Sequence, residues 1–227
     1  MITRRQFTLT SAFVLAGGWR AVAHAAPETA AAKLPSAAEL WDRLVAGNKR
    51  FVAGKPQARS LAPLRTQLAK GQHPPVIVLG CADSRVSPSL VFDQTVGDLF
   101  EVRTAGNIAD DIAIGSIEYA AAHFRSPVLL VLGHEKCGAV AAVAEGEKVD
   151  TRGLEAIVKK ISPAVERVKG KATGDALLAL AVEANVRQSA QDLLESSSNL
   201  RKAVDGGQMT VIKAVYKLGS GEVARLT

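Results

Sequence analysis

Apolar residues return along this chain at two different spacings, and the alternation between them predicts its architecture. Leu40, Leu44, Gly47 and Phe51 recur at helical spacing behind a Ser36/Glu39 capping box, which predicts an amphipathic helix to about Val52. A second helix is expected from Ala62 to Lys70, stopped by Gly71. Val76-Ile77-Val78-Leu79-Gly80 is then a short, β-branched apolar run bounded by Pro74-Pro75, the mark of a buried strand. Pro88 to Phe92 predicts a short helix opened by its proline, Leu99 to Val102 a strand, and Arg103 to Asn107 the loop beyond it. Asp110 or Asp111 caps a helix that sets Ala113, Ile117, Ala120 and Phe124 along one face. Pro127 to Gly133 repeats the buried-strand signal, and Gly138 to Ala144 predicts a helix apolar on most sides and therefore buried. Two longer helices are expected over Gly153–Val168 and Asp175–Leu194, with Gly170 and Gly174 at the turn between them. Met209 to Leu218 alternates, with Ile212, Ala214, Tyr216 and Leu218 on one face, before Gly219-Ser220-Gly221 turns the chain into a last short strand. Strands alternating with helices predict an α/β fold: a mainly parallel central sheet flanked by helices.

Length and composition narrow this to one catalytic domain and a short appendage. At 227 residues the chain can bury one full core, and 4% aromatic content suits packing by small aliphatic side chains. The first residues read as a targeting segment. Arg4-Arg5-Gln6-Phe7 precedes an apolar stretch from Thr8 to Trp19 that is too short to span a bilayer. Ala23-His24-Ala25 offers a small-residue cleavage site, and the paired arginines resemble a bacterial twin-arginine export signal. An uncleaved N-terminal anchor is the alternative. The expected partition is therefore a signal over residues 1–25, a flexible leader over 26–36 and the catalytic domain over 37–227, in a periplasmic or otherwise exported protein with no stable membrane span once the signal is gone. Loss of Arg4, Arg5 and Arg20 would lower the formal charge from +6 to +3. That is too weak a basic balance for nucleic acid, and no lysine–arginine block supports such a partner.

The chemistry gathers where the two buried strands end. Val78-Leu79-Gly80 is followed by Cys81, Asp83 and Arg85; Val131-Leu132-Gly133 is followed by His134 and Cys137. Sites in open α/β sheets lie at the carboxyl ends of strands, so both strands aim these residues at one place. Two cysteines in an exported protein could form a disulfide. Against that, His134 and Cys137 have the local spacing of zinc ligands, with Cys81 arriving from the other strand. Cys₂His is a three-ligand set with a fourth position open to water or substrate. The amides at the helix start, Gly138, would face an anion beside the metal. Asp83 and Arg85 are either a loop-bracing salt bridge or a catalytic pair in which Arg85 controls where the carboxylate points.

Cys81-Ala82-Asp83-Ser84-Arg85-Val86 with Gly133-His134-Glu135-Lys136-Cys137-Gly138 resembles the β-class carbonic anhydrases. The likeness extends through Gly97–Arg103, Ala105-Gly106-Asn107 and Ser116–Ala120. It implies one Zn²⁺ per subunit on Cys81, His134 and Cys137, with Asp83 either accepting a hydrogen bond from zinc-bound hydroxide or swinging in as a fourth ligand that shuts the site. It implies reversible hydration of CO₂ to bicarbonate and a proton. Gln72, nine residues before Cys81, marks the plant-like subgroup, in which Gln72, Phe100 and Tyr119 would line the CO₂ or bicarbonate pocket from a neighbouring subunit. A homodimer or higher even oligomer follows. Val78, where the other subgroup has tryptophan, argues against an inhibitory bicarbonate site. Phe92-Asp93-Gln94-Thr95-Val96 lacks the proline that the family carries in this loop. The first helix, with Trp41, would in this family pack on a partner subunit. His73 reads as a solvated loop histidine or a proton shuttle, and His123 as a cap or packing residue. A CS₂ or COS hydrolase on the same scaffold, and a non-catalytic exported protein stabilised by zinc or a disulfide, are the alternatives.

Overall fold

The computed structural model describes residues 34–227; the expected export signal and most of the leader lie outside them. Five strands form one sheet: β1 (Val76–Cys81), β2 (Leu99–Thr104), β3 (Val128–His134), β4 (Thr210–Tyr216) and β5 (Val223–Arg225). Their spatial order is β2-β1-β3-β4-β5. The first four run parallel, and β5 closes the far edge antiparallel to β4. Helices α1 (Ala37–Val52), α2 (Leu61–Leu68), α3 (Pro88–Val91), α4 (Asp111–Phe124), α5 (Gly138–Glu145), α6 (Arg152–Glu166), α7 (Gly174–Ser196) and α8 (Ser198–Asp205) fill the connections. The expected α/β fold with a mainly parallel sheet is the one observed.

Both sheet faces are covered, which is why β1 and β3 read as unbroken apolar runs instead of alternating ones. Ile77, Leu79, Leu129 and Val131 face the layer built from α4 to α7. Val76, Val78, Val128, Leu130 and Ile212 face α1 and α3. Helix α1 starts at the Ser36/Glu39 capping box and lays Leu40 and Leu44 on the sheet of its own chain. Each of those buried leucines contributes about 2 kcal/mol. Trp41 is half-buried, with the Arg225 guanidinium 5.7 Å from its ring centre. Gly47 lets α1 approach the end of α3 so closely that a Cβ there would stand 1.8 Å from the Phe92 carbonyl oxygen.

Four local expectations change. Strands β1 and β2 continue through Cys81 and Thr104, which are paired in register. The parallel ladder therefore carries the first cysteine instead of releasing it into a loop. Helix α5 buries only Val140, because α6 and α7 cover one side of it and its alanines are left half-exposed. Helix α8 was not expected. Leu200 is its one fully buried anchor and forms with Ala203 and Val204 an apolar stripe only two turns long, too short to stand out, while the Ser197 hydroxyl accepts from the Leu200 amide and starts the turn. Finally, the loop without proline is fixed by Asp93, which adopts a left-handed φ of 45°. Its buried carboxylate accepts from Arg50 Nε at 2.5 Å, Arg59 Nη1 at 2.7 Å and the Gln57 amide, while Arg59 also donates to the Asp93 carbonyl. Burial pushes that carboxyl up, but the two arginines and the Gln57 amide outweigh it and hold it below the usual range.

Candidate metal centre

Register alone brings the chemistry of β1 and β3 together. Gly80 pairs with Leu132, so the residues that follow each strand emerge side by side at the carboxyl edge. One ligand atom from each of Cys81, His134 and Cys137 lies within 4.8 Å of the others, and all three residues are buried. The two sulfurs are 3.9 Å apart and not bonded, and both cysteines are free. His134 Nδ1 lies 2.9 Å from the Glu135 carbonyl oxygen, an acceptor that assigns the ring proton to Nδ1. That leaves the lone pair on Nε2, which is buried and without a partner.

These residues fit a soft divalent metal on three counts. Thiolate and imidazole are the donors zinc prefers. The orphaned Nε2 is buried beside the two sulfurs and the Asp83 carboxylate with no hydrogen-bond partner, so its lone pair costs free energy unless a cation takes it. One proton serves both sulfurs: Cys81 is drawn far below the ordinary thiol range, first by the S–H of Cys137 and then by His134 and the Asp83 and Gly106 amides, against the opposing effect of burial. Cys137, which supplies that proton and is buried, is pushed up. A metal cation replacing the shared proton is the ordinary route by which such a pair reaches two thiolates.

Asp83 lies beside this group. Its carboxylate accepts from Arg85 Nε at 2.9 Å, Arg85 Nη2 at 2.7 Å and the Arg85 amide at 2.9 Å. The Arg85 guanidinium is the first cause holding Asp83 far below the carboxylate range, and Arg85 is raised in return. Asp83 Oδ2 also comes to 3.8 Å from His134 Nε2. The carboxylate thus sits between a half-exposed guanidinium and the candidate metal-ligating face of the site. Gly138, next to Cys137, opens α5 with open space where a Cβ would stand, leaving its amide edge uncrowded.

The other expected pocket residues lie elsewhere. Phe100 pairs with Ile77, four residues below the Cys81–Thr104 pair and therefore about 13 Å down the strand. Gln72 precedes β1 at the amino edge of the sheet. Phe100, Tyr119 and Phe124 form an aromatic cluster with centroids 5.9–6.5 Å apart, which His73 and His123 join. His123 stacks on Tyr119 at 4.2 Å and its Nδ1 bonds the Tyr119 carbonyl, a packing and end-of-helix role. Cys81, Asp83, Arg85, His134, Cys137 and Gly138 therefore gather at one edge, and Gln72, Phe100 and Tyr119 do not join them within one chain.

Two contributors were not singled out from sequence. Arg103 donates from Nε to the Cys81 carbonyl at 2.9 Å and from Nη2 to the Asp83 carbonyl at 2.7 Å, bracing the loop that carries both. Its motif position offered the only signal. Asn185 lies on the buried face of α7, where an amide among Ala181, Val182 and Val186 is the readable anomaly.

Comparison with known proteins agrees with this geometry. Residues 76–223 match the carbonic anhydrase family. The chain is 37% identical over 186 residues to "Carbonic anhydrase 2" of Mycobacterium tuberculosis, covering 80% of this chain and 88% of that protein. Its fold is similar to the β-carbonic anhydrase CafA of Aspergillus fumigatus, with a TM-score of 0.68 and 28% identity over 82% of this chain and 90% of that one. It is also similar to the β-carbonic anhydrase CcaA, with a TM-score of 0.66 and 27% identity over 82% and 87% of the two chains. The paired strand ends, the buried Cys-His-Cys group and these likenesses converge: the chain belongs to the β class of the carbonic anhydrase family.

Proposed function

We propose that the chain catalyses the reversible hydration of CO₂ to bicarbonate and a proton, with zinc held by Cys81, His134 and Cys137. The observation that carries this reading is a buried thiol–imidazole–thiol group beside an arginine-clamped carboxylate. Zinc bound there supplies Lewis acidity that lowers the pKa of water toward about 7 and leaves a position for exchange. Asp83, ionised and facing His134, accepts a hydrogen bond from the attacking water and so fixes its lone pair toward CO₂. Arg85 keeps both Asp83 oxygens engaged; without that grip, Asp83 is free to turn onto the metal and close the site. The amide edge at Gly138, at the positive end of α5, receives the anionic product.

The pocket is completed by a second copy. Gln72, Phe100 and Tyr119 are too far down the sheet to serve their own Cys81, and the outer edge of β2 pairs with no strand among the described residues. A homodimer that brings these residues to the partner's metal agrees with the plant-like subgroup, to which Gln72 and Val78 point. Arg4-Arg5-Gln6-Phe7 and the stretch to Ala25 support a twin-arginine signal, a leader over 26–36, a catalytic domain over 37–227 and a periplasmic location. No helix among the described residues is long and apolar enough to cross a membrane.

Stopped-flow CO₂ hydration with zinc quantitation, and CS₂ alongside, tests the reading. One zinc per chain with CO₂ turnover is expected. A metal-free protein, or one that turns over CS₂ and not CO₂, overturns it. Mixing Gln72→Ala protein with Cys137→Ala protein tests the shared pocket. Activity recovered on mixing supports it, because a hybrid dimer holds one intact combination; two inactive parents that stay inactive as verified hybrids overturn it.

A further inference from the structure

The first sulfur receives a hydrogen bond whose geometry is set from a distant helix. The Gly106 amide donates to Cys81 Sγ at 3.4 Å, and the Gly106 carbonyl accepts from Asn185 Nδ2 at 2.7 Å. These two groups belong to successive peptide planes joined only through the φ and ψ of Gly106, which stand at 68° and 21°. A glycine in that left-handed region is the least constrained residue in a chain. Its amide would swing away from the sulfur if nothing held the next plane. Asn185, 79 residues later in sequence and 1% exposed, holds it.

The packing around this contact explains why the asparagine can reach. Helix α7 presses Val182 and Val186 onto Gly133, where a Cβ would stand 2.4 Å from Val186 Cγ2. Gly106 is enclosed in the same way, since a Cβ there would lie 2.7 Å from Ile161 Cδ1 and 3.3 Å from Ala139 Cβ. The neighbouring positions on this face of α7 are Ala181, Val182, Val186, Ser189 and Ala190, all buried and all but Ser189 apolar. An asparagine at that point lowers helix propensity and places an amide in the core, with Oδ1 left unpartnered. A leucine would pack there without either penalty. The donation to Gly106 is the one contact in the structure that compensates.

We infer that Asn185 is a positioning residue for the metal centre: by fixing Gly106 it aims a peptide N–H at the Cys81 sulfur and sets that ligand's orientation and donor strength. Cys81 then differs from Cys137, whose amide contacts come from Val140 and Ala139 at the start of α5. This role rests on the metal reading above. Outer contacts of this kind typically change metal affinity by about 10- to 100-fold.

The test uses the full protein loaded with ¹¹³Cd²⁺, whose scalar coupling to an amide proton across an N–H···S bond reports that bond directly. Wild type is expected to show coupling from cadmium to the Gly106 amide. Asn185→Leu, matched in size and without a donor, is expected to lose it and to hold zinc about 10- to 100-fold more weakly against a competing chelator. Asn185→Thr, too short to reach Gly106, repeats both measurements should the leucine variant not fold. A cadmium-loaded wild type without the Gly106 coupling overturns the inference, as does a variant that keeps both coupling and zinc affinity. A chain that takes up neither metal overturns the metal reading itself, so the two failures are distinct.

Discussion

Asp83 and Asp93 are both carboxylates gripped by arginine, ten residues apart, and they sit in opposite electrostatic situations. Asp93 is 2% exposed and takes two arginines whose side chains are themselves 24–29% exposed. Each oxygen accepts from its own arginine and both share the Gln57 amide, so the assembly ties α1, the loop after it and the end of α3 into one unit. Asp83 is 17% exposed and has one arginine, 54% exposed, on its outer side and the buried imidazole of His134 on its inner side. Saturation makes the first a staple. The second keeps an inward acceptor beside a ligand group, and its clamp lies where solvent can compete for it. What separates the two is the incompleteness of the second pairing more than the residue types.

The sharpest way to break this distinction is Arg85→Ala. Release of Asp83 toward the metal is expected to cut CO₂ hydration by at least about 100-fold, within the range for displacing a positioned acid–base group, with zinc content retained. Full activity with unchanged zinc would remove the pair from the mechanism. Asp93→Ala is expected to act on stability instead, by about 3 kcal/mol, because two arginines lose their buried partner. For a chain of this size that lowers the melting temperature by about 6–12 °C while turnover per folded molecule stays the same. A specific loss of turnover would show that the staple also serves the site.

Acid sharpens the contrast further. The folded Asp93 carboxyl is held below its unfolded value, so its contribution is present above the unfolded value of about 4 and is lost as pH falls through the folded pKa, below which both states are protonated. Urea unfolding of wild type and Asp93→Asn should therefore differ most near pH 6 and converge below about pH 4. Curves that stay parallel would exclude ionised Asp93 as the source. The mildest expected change is Arg59→Lys, which keeps charge but cannot bond the carboxylate and the Asp93 carbonyl with one planar group. About 1 kcal/mol is expected from thermal or urea unfolding.

What could be read from sequence divides along the same physical line. Helix α1 was legible because Ser36 and Glu39 are three residues apart, and β1 and β3 because burial on both faces leaves an unbroken apolar run. The ligand group was legible because Cys81 and His134 are the last residues of their strands and Cys137 lies three residues beyond, and the parallel register does the rest. The Asp93 assembly joins residues 34–43 positions apart, and Asn185 reaches Gly106 across 79, distances over which no local spacing carries information. Helix α5 misled for a related reason: its composition is apolar all round, but burial depends on which neighbours reach it, and only one side is reached.

The sheet's two margins have unequal consequences for growth. On one side β5 is three residues long, reversed in direction, and placed beside the Trp41–Arg225 stack, a poor template for another chain. On the other, the outer edge of β2, six residues long, pairs with no strand among the described residues. Strand addition at β2 by a second copy would join two sheets edge to edge and use up both β2 edges, so such a contact closes on itself and does not propagate.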